Sequence, residues 1–194
     1  MVDIGVSLSL LVVAAPIALA AAVAVRATSK GPVIFRQQRV GRHGRRFDIL
    51  KFRTMRASRP GDSEITVGDD PRITRVGRFL RRSKIDELPQ LINVLLGEMS
   101  LVGPRPEVPS FVAQYPEELR RMIQSVRPGI TDRASIKYRH ENDLLARQPD
   151  PDAFYREVIL PDKLAMGAAY ARRHSLAEDV RILAATVRTV LRDR

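Results

Sequence analysis

The sequence contains no cysteine. That excludes disulfides, thiol nucleophiles and Cys-ligated zinc or iron–sulfur centres, and it accords with a reducing compartment. Histidine is nearly as scarce: His43, His140 and His174 are the only three, and their scatter fits no metal-ligand spacing. Phosphate-cradling glycine loops are missing too, since neither G-x-G-x-x-G nor G-x-x-x-x-G-K-[ST] occurs in the 194 residues. Charge is missing from the stretch Ile4 to Val25, and acid is nearly missing from the next. Between Arg26 and Arg59, eleven lysines and arginines face a single acid, Asp48.

A chain of 194 residues with 44% hydrophobic content holds one domain with a real core and is too short for two comfortable ones. Nearly all of its formal charge of +11 sits in the block after Val25. A concentrated basic block points to a polyanionic partner: nucleic acid, an anionic membrane surface or phosphorylated substrates.

In helical form the charge-free run would span ~33 Å, about one hydrocarbon core. Three readings compete for it. The Ala-rich end offers signal-peptide cleavage patterns, but the preceding flank carries Asp3 and no Lys or Arg. A spanning helix is the plain alternative. The third reading rests on Pro16 in mid-run, which deletes a backbone bond and predicts a break that returns the helix to the face it entered. The carbonyl freed there needs a partner, for which Ser9 is a candidate. The positive block places the rest of the chain on the cytoplasmic side. The division is thus a membrane-embedded segment over residues 1–28 and a cytoplasmic domain over 29–194.

Beyond the run, Val33 to Arg36 and Phe47 to Phe52 read as strands of a hairpin around Gly41-Arg42-His43-Gly44. Arg59-Pro60-Gly61-Asp62 reads as a loop. A helix is expected over Pro71 to Arg82, with Ile73, Val76, Phe79 and Leu80 on one stripe and arginines elsewhere, the pattern of an interfacial helix or of a surface helix on a core. Another begins at Asp86, with Leu88, Leu91, Ile92, Leu95 and Leu96 in helical rhythm. Further helices are expected over Pro116 to Val126, Asp162 to Arg173 and Leu176 to Arg192, the last with Leu176, Val180, Leu183, Val187 and Leu191 on one face. The fold class is α+β, mainly helical, with a small β-hairpin, amphipathic interfacial helices and an N-terminal membrane helix.

The sharpest local feature is Ser83-Lys84-Ile85-Asp86-Glu87-Leu88-Pro89-Gln90. Structurally, acids at a helix start favour its positive end, and Ser83 with Asp86 fits a capping box. Chemically, a carboxylate there suits a nucleophile or a metal ligand, with Arg81, Arg82 and Lys84 ready for a phosphate. Three more clusters resemble phosphate holders: Lys51-Phe52-Arg53-Thr54-Met55, Gly103-Pro104-Arg105-Pro106, and Arg127-Pro128-Gly129-Ile130-Thr131 with Lys137 and Arg139.

In combination these residues resemble the bacterial sugar transferase family, the small monotopic phosphoglycosyl transferases. Ser29-Lys30-Gly31-Pro32-Val33-Ile34-Phe35 with Gln37 and Arg39-Val40-Gly41 is similar to the family's opening. The Lys51 to Met55, Ile85 to Gln90 (with Asn93-Val94), Met99 to Pro106 and Arg127 to Thr131 motifs follow in order and spacing. The likeness covers roughly Asp3 to Arg139, and the remaining helices resemble the family's tail.

The resemblance implies transfer of a sugar 1-phosphate from a UDP-sugar to polyprenyl (undecaprenyl) phosphate. UMP is released, and the phosphosugar is carried on an aspartate, in the first membrane step of polysaccharide or glycoconjugate synthesis. Carried over, Asp86 is nucleophile and magnesium ligand, and Glu87 is its partner. Lys51, Arg53, Arg81, Arg105 and Arg139 fall at or beside family cations near the phosphates. The resemblance also favours a re-entrant helix–break–helix at Pro16, the bilayer as partner, and the cytoplasmic face of the bacterial inner membrane. Mg2+ is the expected cofactor, because pyrophosphate charge needs neutralising.

Three departures stand out: Ala15 where a serine often precedes the proline, no basic residues ahead of the membrane run, and Asp132 after Thr131 where glycine is common and sugar choice is at stake. The length matches the small single-domain form. No nucleic-acid partner is expected, and oligomeric state is left open. The rivals are a membrane-tethered basic binding module and a structural anchor. A nucleic-acid module would want aromatics among the basic residues, and only Phe35, Phe47 and Phe52 qualify.

Overall fold

The computed structural model describes residues 2–56, 68 and 70–192; the loop expected at Arg59-Pro60-Gly61-Asp62 lies outside them. Helix α1 (Val2–Thr28) opens the chain, with Pro16 inside it. Its inward stripe is Asp3, Ser7, Leu11, Ala14, Ala18, Ala21 and Val25, successive members three or four residues apart. Most of these are small, which lets the helix lie close against the domain. The rest of its surface is apolar and exposed, as at Val12, Val13 and Leu19.

The break expected at Pro16 is absent: the helix runs through it. Proline removes only the bond its own nitrogen would have made to the Val12 carbonyl, and both residues lie on the exposed face. Ser7 and Leu11 on one side of Pro16 and Ala18 and Ala21 on the other all pack inward, which supports helix on both flanks. Ser9 does not serve the freed carbonyl, because its hydroxyl donates to Gly5 O at 3.0 Å. Both ends of α1 are tied to the same body. Asp3 Oδ2 accepts from Ser100 Oγ at 2.8 Å and from Arg127 Nη2 at 3.3 Å. At the other end Arg53 Nη2 donates to Ser29 O at 2.7 Å and to Ser29 Oγ at 2.9 Å.

Strands β1 (Ile34–Val40) and β2 (Arg46–Phe52) form the expected antiparallel hairpin, with Ile34 opposite Phe52 and Val40 opposite Arg46. The turn closes because His43 and Gly44 both adopt positive φ, 56° and 74°. The end of β2 serves three purposes in three residues. Lys51 reaches the acidic dyad, Phe52 packs with Ala21, Val25 and Leu80, and Arg53 holds Ser29.

Helix α2 (Arg75–Ser83) starts four residues later than the expected Pro71. Asp70 ties up Arg72 through its N, Nε and Nη2, the Asp70 backbone O accepts from Ile73 N at 3.0 Å, and Ile73 bridges to Met55, so this stretch forms a separate turn and bridge ahead of the helix. Thr74 then caps the helix, its Oγ1 accepting from Gly77 N at 2.8 Å. Gly77 is needed there: a Cβ would sit 1.9 Å from Thr54 O. A single 3-10 turn, Ile85–Glu87, leads into α3 (Gln90–Leu95). Leu88 and Leu91 face inward, while Ile92 and Leu96 of the same stripe are exposed, as is Phe79 on α2.

Strand β3 (Ser100–Val102) and, after α4 (Pro109–Val112) and α5 (Glu117–Ile123), strand β4 (Gly129–Thr131) pair in parallel. A Cβ on Gly129 would lie 2.1 Å from Gly103 N, so both glycine motifs exist to let these backbones pass closely rather than to cradle phosphate. The chain ends in α6 (Arg133–Lys137), α7 (Glu141–Leu145), α8 (Pro151–Phe154), α9 (Leu160–Arg173) and α10 (Leu176–Arg192), with a π turn at Tyr155–Ile159 running into α9. A helical core of Phe111, Leu145, Tyr155, Ile159 and Leu164 joins α4 to α9. On α10 four of the five residues of the sequence stripe are turned outward, and Leu183 is not. Leu176, Val180, Val187 and Leu191 are exposed, and Ile182 and Leu183 pack against Leu91, Leu101 and Val102. The architecture is α+β and mainly helical, with the α1–α3–β2–β3 junction at its centre.

Candidate active site

The segment from Ser83 to Pro89 builds the site. Ser83 closes α2 instead of opening the next helix, its Oγ donating to Phe79 O at 2.8 Å and Leu80 O at 3.2 Å. Lys84 then turns into the left-handed region, φ 59° and ψ 14°, which reverses the chain into the 3-10 turn. The capping box expected for Ser83 and Asp86 is therefore absent. Asp86 is 6% exposed, and its Oδ1 is buried without a hydrogen-bond partner. A carboxylate sealed in and left unpaired is not a helix cap; such groups call for a functional reason.

Glu87 is the opposite case. Its Oε1 accepts from Arg105 Nη2 at 2.5 Å and Lys51 Nζ at 3.3 Å, and its Oε2 from Arg105 Nη1 at 3.3 Å. Arg105 is fixed in turn by its flanking prolines, by donation to Ile130 O at 3.1 Å, and through its own N–H to Asp132 Oδ2 at 3.2 Å. Asp132, expected to bear on sugar choice, caps α6 through Ser135 N at 2.6 Å and so links that helix to the Arg105 loop.

These surroundings drive the two acids apart. Burial, then the neighbouring Glu87 charge, push the Asp86 carboxyl up to about 6 against the pull of Lys51, Lys84 and Arg81. Burial would raise Glu87 as well, but Arg105, Lys51 and Lys84 together hold it well below the usual carboxylate range. Burial brings Lys51 down to about 8, with Glu87 opposing. Glu87 raises Arg105 in return. Arg81, lowered by burial, finds in Asp86 its strongest attraction, while its Nε donates to Thr54 Oγ1 at 2.9 Å. Two adjacent carboxyls thus hold two roles: Glu87 is a fixed, saturated anion, and Asp86 is raised above its ordinary range with no hydrogen bond on Oδ1. A desolvated carboxylate among Lys51, Arg81, Lys84 and Arg105 has the equipment to attack a phosphorus and to steady the charge that develops.

The expected residues Asp86, Glu87, Lys51, Arg81 and Arg105 therefore come together. Arg53 and Arg139 do not: Arg53 is the latch on Ser29, and Arg139 donates to Thr189 O of α10. Arg127 pairs with Asp3, and Lys137 with Asp162, so the third basic cluster is structural. Lys84 acts on both carboxyls although nothing in its sequence context marks a left-handed residue. Of the three aromatics in the basic block, Phe47 and Phe52 are buried and Phe35 is exposed.

The sequence profile of the bacterial sugar transferase family matches residues 1–193. A UDP-glucose:undecaprenyl-phosphate glucose-1-phosphate transferase of Klebsiella pneumoniae is 40% identical over 193 residues, which is 95% of this chain and 38% of that protein. A UDP-N-acetylgalactosamine-undecaprenyl-phosphate N-acetylgalactosaminephosphotransferase of Aeromonas hydrophila is 39% identical over 179 residues, 91% of this chain and 39% of that protein. The exopolysaccharide production protein PSS of Rhizobium leguminosarum bv. phaseoli is 40% identical over 192 residues, 95% of this chain and 90% of that protein. The chain thus spans less than two fifths of the first two relatives and nine tenths of the third. With the dyad, its cations and the glycine motifs all inside the matched region, the chain belongs to the bacterial sugar transferase family.

Proposed function

We propose that this chain is a phosphoglycosyl transferase that moves a sugar 1-phosphate from a UDP-sugar to polyprenyl phosphate, with Asp86 as the nucleophile. The observation that carries this reading is the buried, unpartnered Asp86 carboxylate beside a fully engaged Glu87. The names of the Klebsiella and Aeromonas relatives supply the substrate classes. In the first step an Asp86 oxygen bonds to the β-phosphorus while the bond to the α-phosphate oxygen breaks, and UMP leaves with that electron pair. In the second, a phosphate oxygen of the lipid attacks the same phosphorus, the Asp86–phosphorus bond breaks, and the carboxylate is restored. Lys51, Arg81, Lys84 and Arg105 steady the phosphoryl oxygens in both steps, and Glu87 holds Lys51 and Arg105 in place.

Among the described residues no group of three or more acids or histidines forms a metal cage. Mg2+ does not need one, because it keeps several waters and is held by one or two carboxylates plus substrate phosphates. Of the two carboxyls Asp86 is the one with capacity left for this role, because both oxygens of Glu87 are already engaged by Arg105 and Lys51. Bound there, the ion would neutralise pyrophosphate charge.

Residues 1–28 are the membrane-embedded part and 29–194 the cytoplasmic catalytic domain, at the bacterial inner membrane. The apolar exposed face of α1, with Phe79, Ile92 and Leu96 nearby, supports contact with lipid. Because both α1 ends bond to the same body, entry and exit on one side require no break at Pro16.

The test is a panel of UDP-sugars with protein in lipid, scoring UMP release with and without polyprenyl phosphate, and intact mass for a phosphosugar adduct on Asp86. EDTA should abolish turnover and Mg2+ restore it. No UMP release from any UDP-sugar would return the protein to the binding-module reading.

A further inference from the structure

Four residues after Asp86 stands Gln90, the first residue of α3, fully buried at 0% exposure. Both its Oε1 and its Nε2 are without a hydrogen-bond partner. This is not a general property of the helix. Asn93, three residues on and 1% exposed, is saturated. Its Oδ1 accepts from Leu50 N at 3.0 Å, and its Nδ2 donates to Asp48 O at 2.8 Å and Glu98 Oε2 at 2.7 Å. One buried amide on α3 stitches it to β2, while the other holds nothing.

Between Asp86 and Gln90 the chain winds from the 3-10 turn through Leu88 (φ −52°, ψ −38°) and Pro89 (φ −61°, ψ −19°) into α3, with Leu88 N donating to Ile85 O at 3.2 Å and Leu91 N to Leu88 O at 3.1 Å. At a rise of ~1.5–2 Å per residue the two positions lie ~6–8 Å apart along the winding axis, a gap that a Gln and an Asp side chain can close. Asp86 Oδ1 and the Gln90 carboxamide are therefore two buried orphans about one turn apart. Of the two Asp86 oxygens only Oδ1 is sealed in this way, so Oδ2 is the one left to meet a substrate. Catalytic hydrogen bonds are often unmade in ligand-free sites and tighten when the reacting groups are ordered.

We propose that Gln90 is a positioning residue for Asp86: its N–H donates to Oδ1 once substrate orders the cleft, directing Oδ2 at the phosphorus. The proposal rests on the transferase reading above. The same donor would steady Oδ1 when the carboxylate is expelled in the second step.

The test uses the whole chain in lipid and the variants Gln90→Met and Gln90→Leu, both apolar and close in volume. Removing a buried amide that has no partner relieves its desolvation cost, so the thermal midpoint should rise by about 2–4 °C. Turnover should fall by about 10- to 100-fold, the loss of one hydrogen bond to a charged group, while KM for the UDP-sugar stays within about threefold. Turnover within about twofold of wild type in either variant overturns the proposal. So does a fall in the midpoint that parallels the loss of turnover, since that marks a purely structural amide. A failure of the underlying reading is seen separately, as a wild-type protein that releases no UMP.

Discussion

Replacing Asp86 by Asn should make the protein more stable while it removes the activity. The carboxyl is pushed from 3.8 up to about 6, first by burial and then by Glu87. A group whose folded-state pKa is raised contributes stability that is fully present below the unfolded value and lost as the pH rises through the folded one. A rise of this size corresponds to about 3 kcal/mol at neutral pH, at ~1.4 kcal/mol for each pH unit. Asn keeps the shape and cannot ionise, so it escapes that cost. Urea unfolding in EDTA, from pH 3 to 8, should show the two proteins equal below about pH 4. They should diverge through about pH 6, with the variant ahead by about 3 kcal/mol above pH 7. Turnover of the variant should drop by orders of magnitude, with no phosphosugar adduct. Equal stabilities at pH 7.5, or a gap that does not change with pH, would refute the claim that Asp86 is held as a costly anion. Near-normal turnover would refute the covalent step.

Arg105→Ala should destabilise the fold by about 3 kcal/mol in urea unfolding at pH 7, the lower end for stripping one partner from a buried pair, because Lys51 remains on Glu87. That deficit should shrink as the pH falls below about 4.5, where Glu87 of the unfolded chain protonates; a deficit under about 0.5 kcal/mol at pH 7 would contradict it. Gly77→Ala places a Cβ 1.9 Å from Thr54 O and must push α2, with Arg81, off the end of β2. A loss of about 1–3 kcal/mol and weakened turnover are expected, and an unchanged unfolding midpoint would show that α2 docks otherwise. A single cysteine placed ahead of Asp3 should resist impermeant maleimide in intact cells and react after permeabilisation; labelling from outside would require a spanning α1.

Local pattern made part of the fold legible. The hairpin announced itself through Gly41 to Gly44, and the Leu88–Leu91 repeat marked a helix, because turn chemistry and helical period depend on near neighbours. The three-residue strands β3 and β4 gave no periodic signal, and their pairing joins residues far apart in sequence. Cations suffered most from this. Lys51, Arg53, Arg105 and Arg139 look alike as letters, and only the folded chain assigns Lys51 and Arg105 to Glu87, Arg53 to Ser29 and Arg139 to α10. Pro16 shows the converse error. A strong local rule predicted a break, and side-chain packing on both flanks overrode it.

The end of β2 has a mechanical consequence. Lys51 touches the dyad and Arg53 grips the end of α1, with Phe52 wedged between that helix and Leu80. Two strand residues span only ~7 Å. On the proposed function the chemistry is thereby gauged to the helix by a ruler one dipeptide long: the depth of α1 in lipid would set the height of Asp86 above the headgroups. The proposed lipid phosphate, anchored by its own hydrocarbon tail, would arrive at a fixed level, and a stiff short ruler would let the protein meet it there without a search.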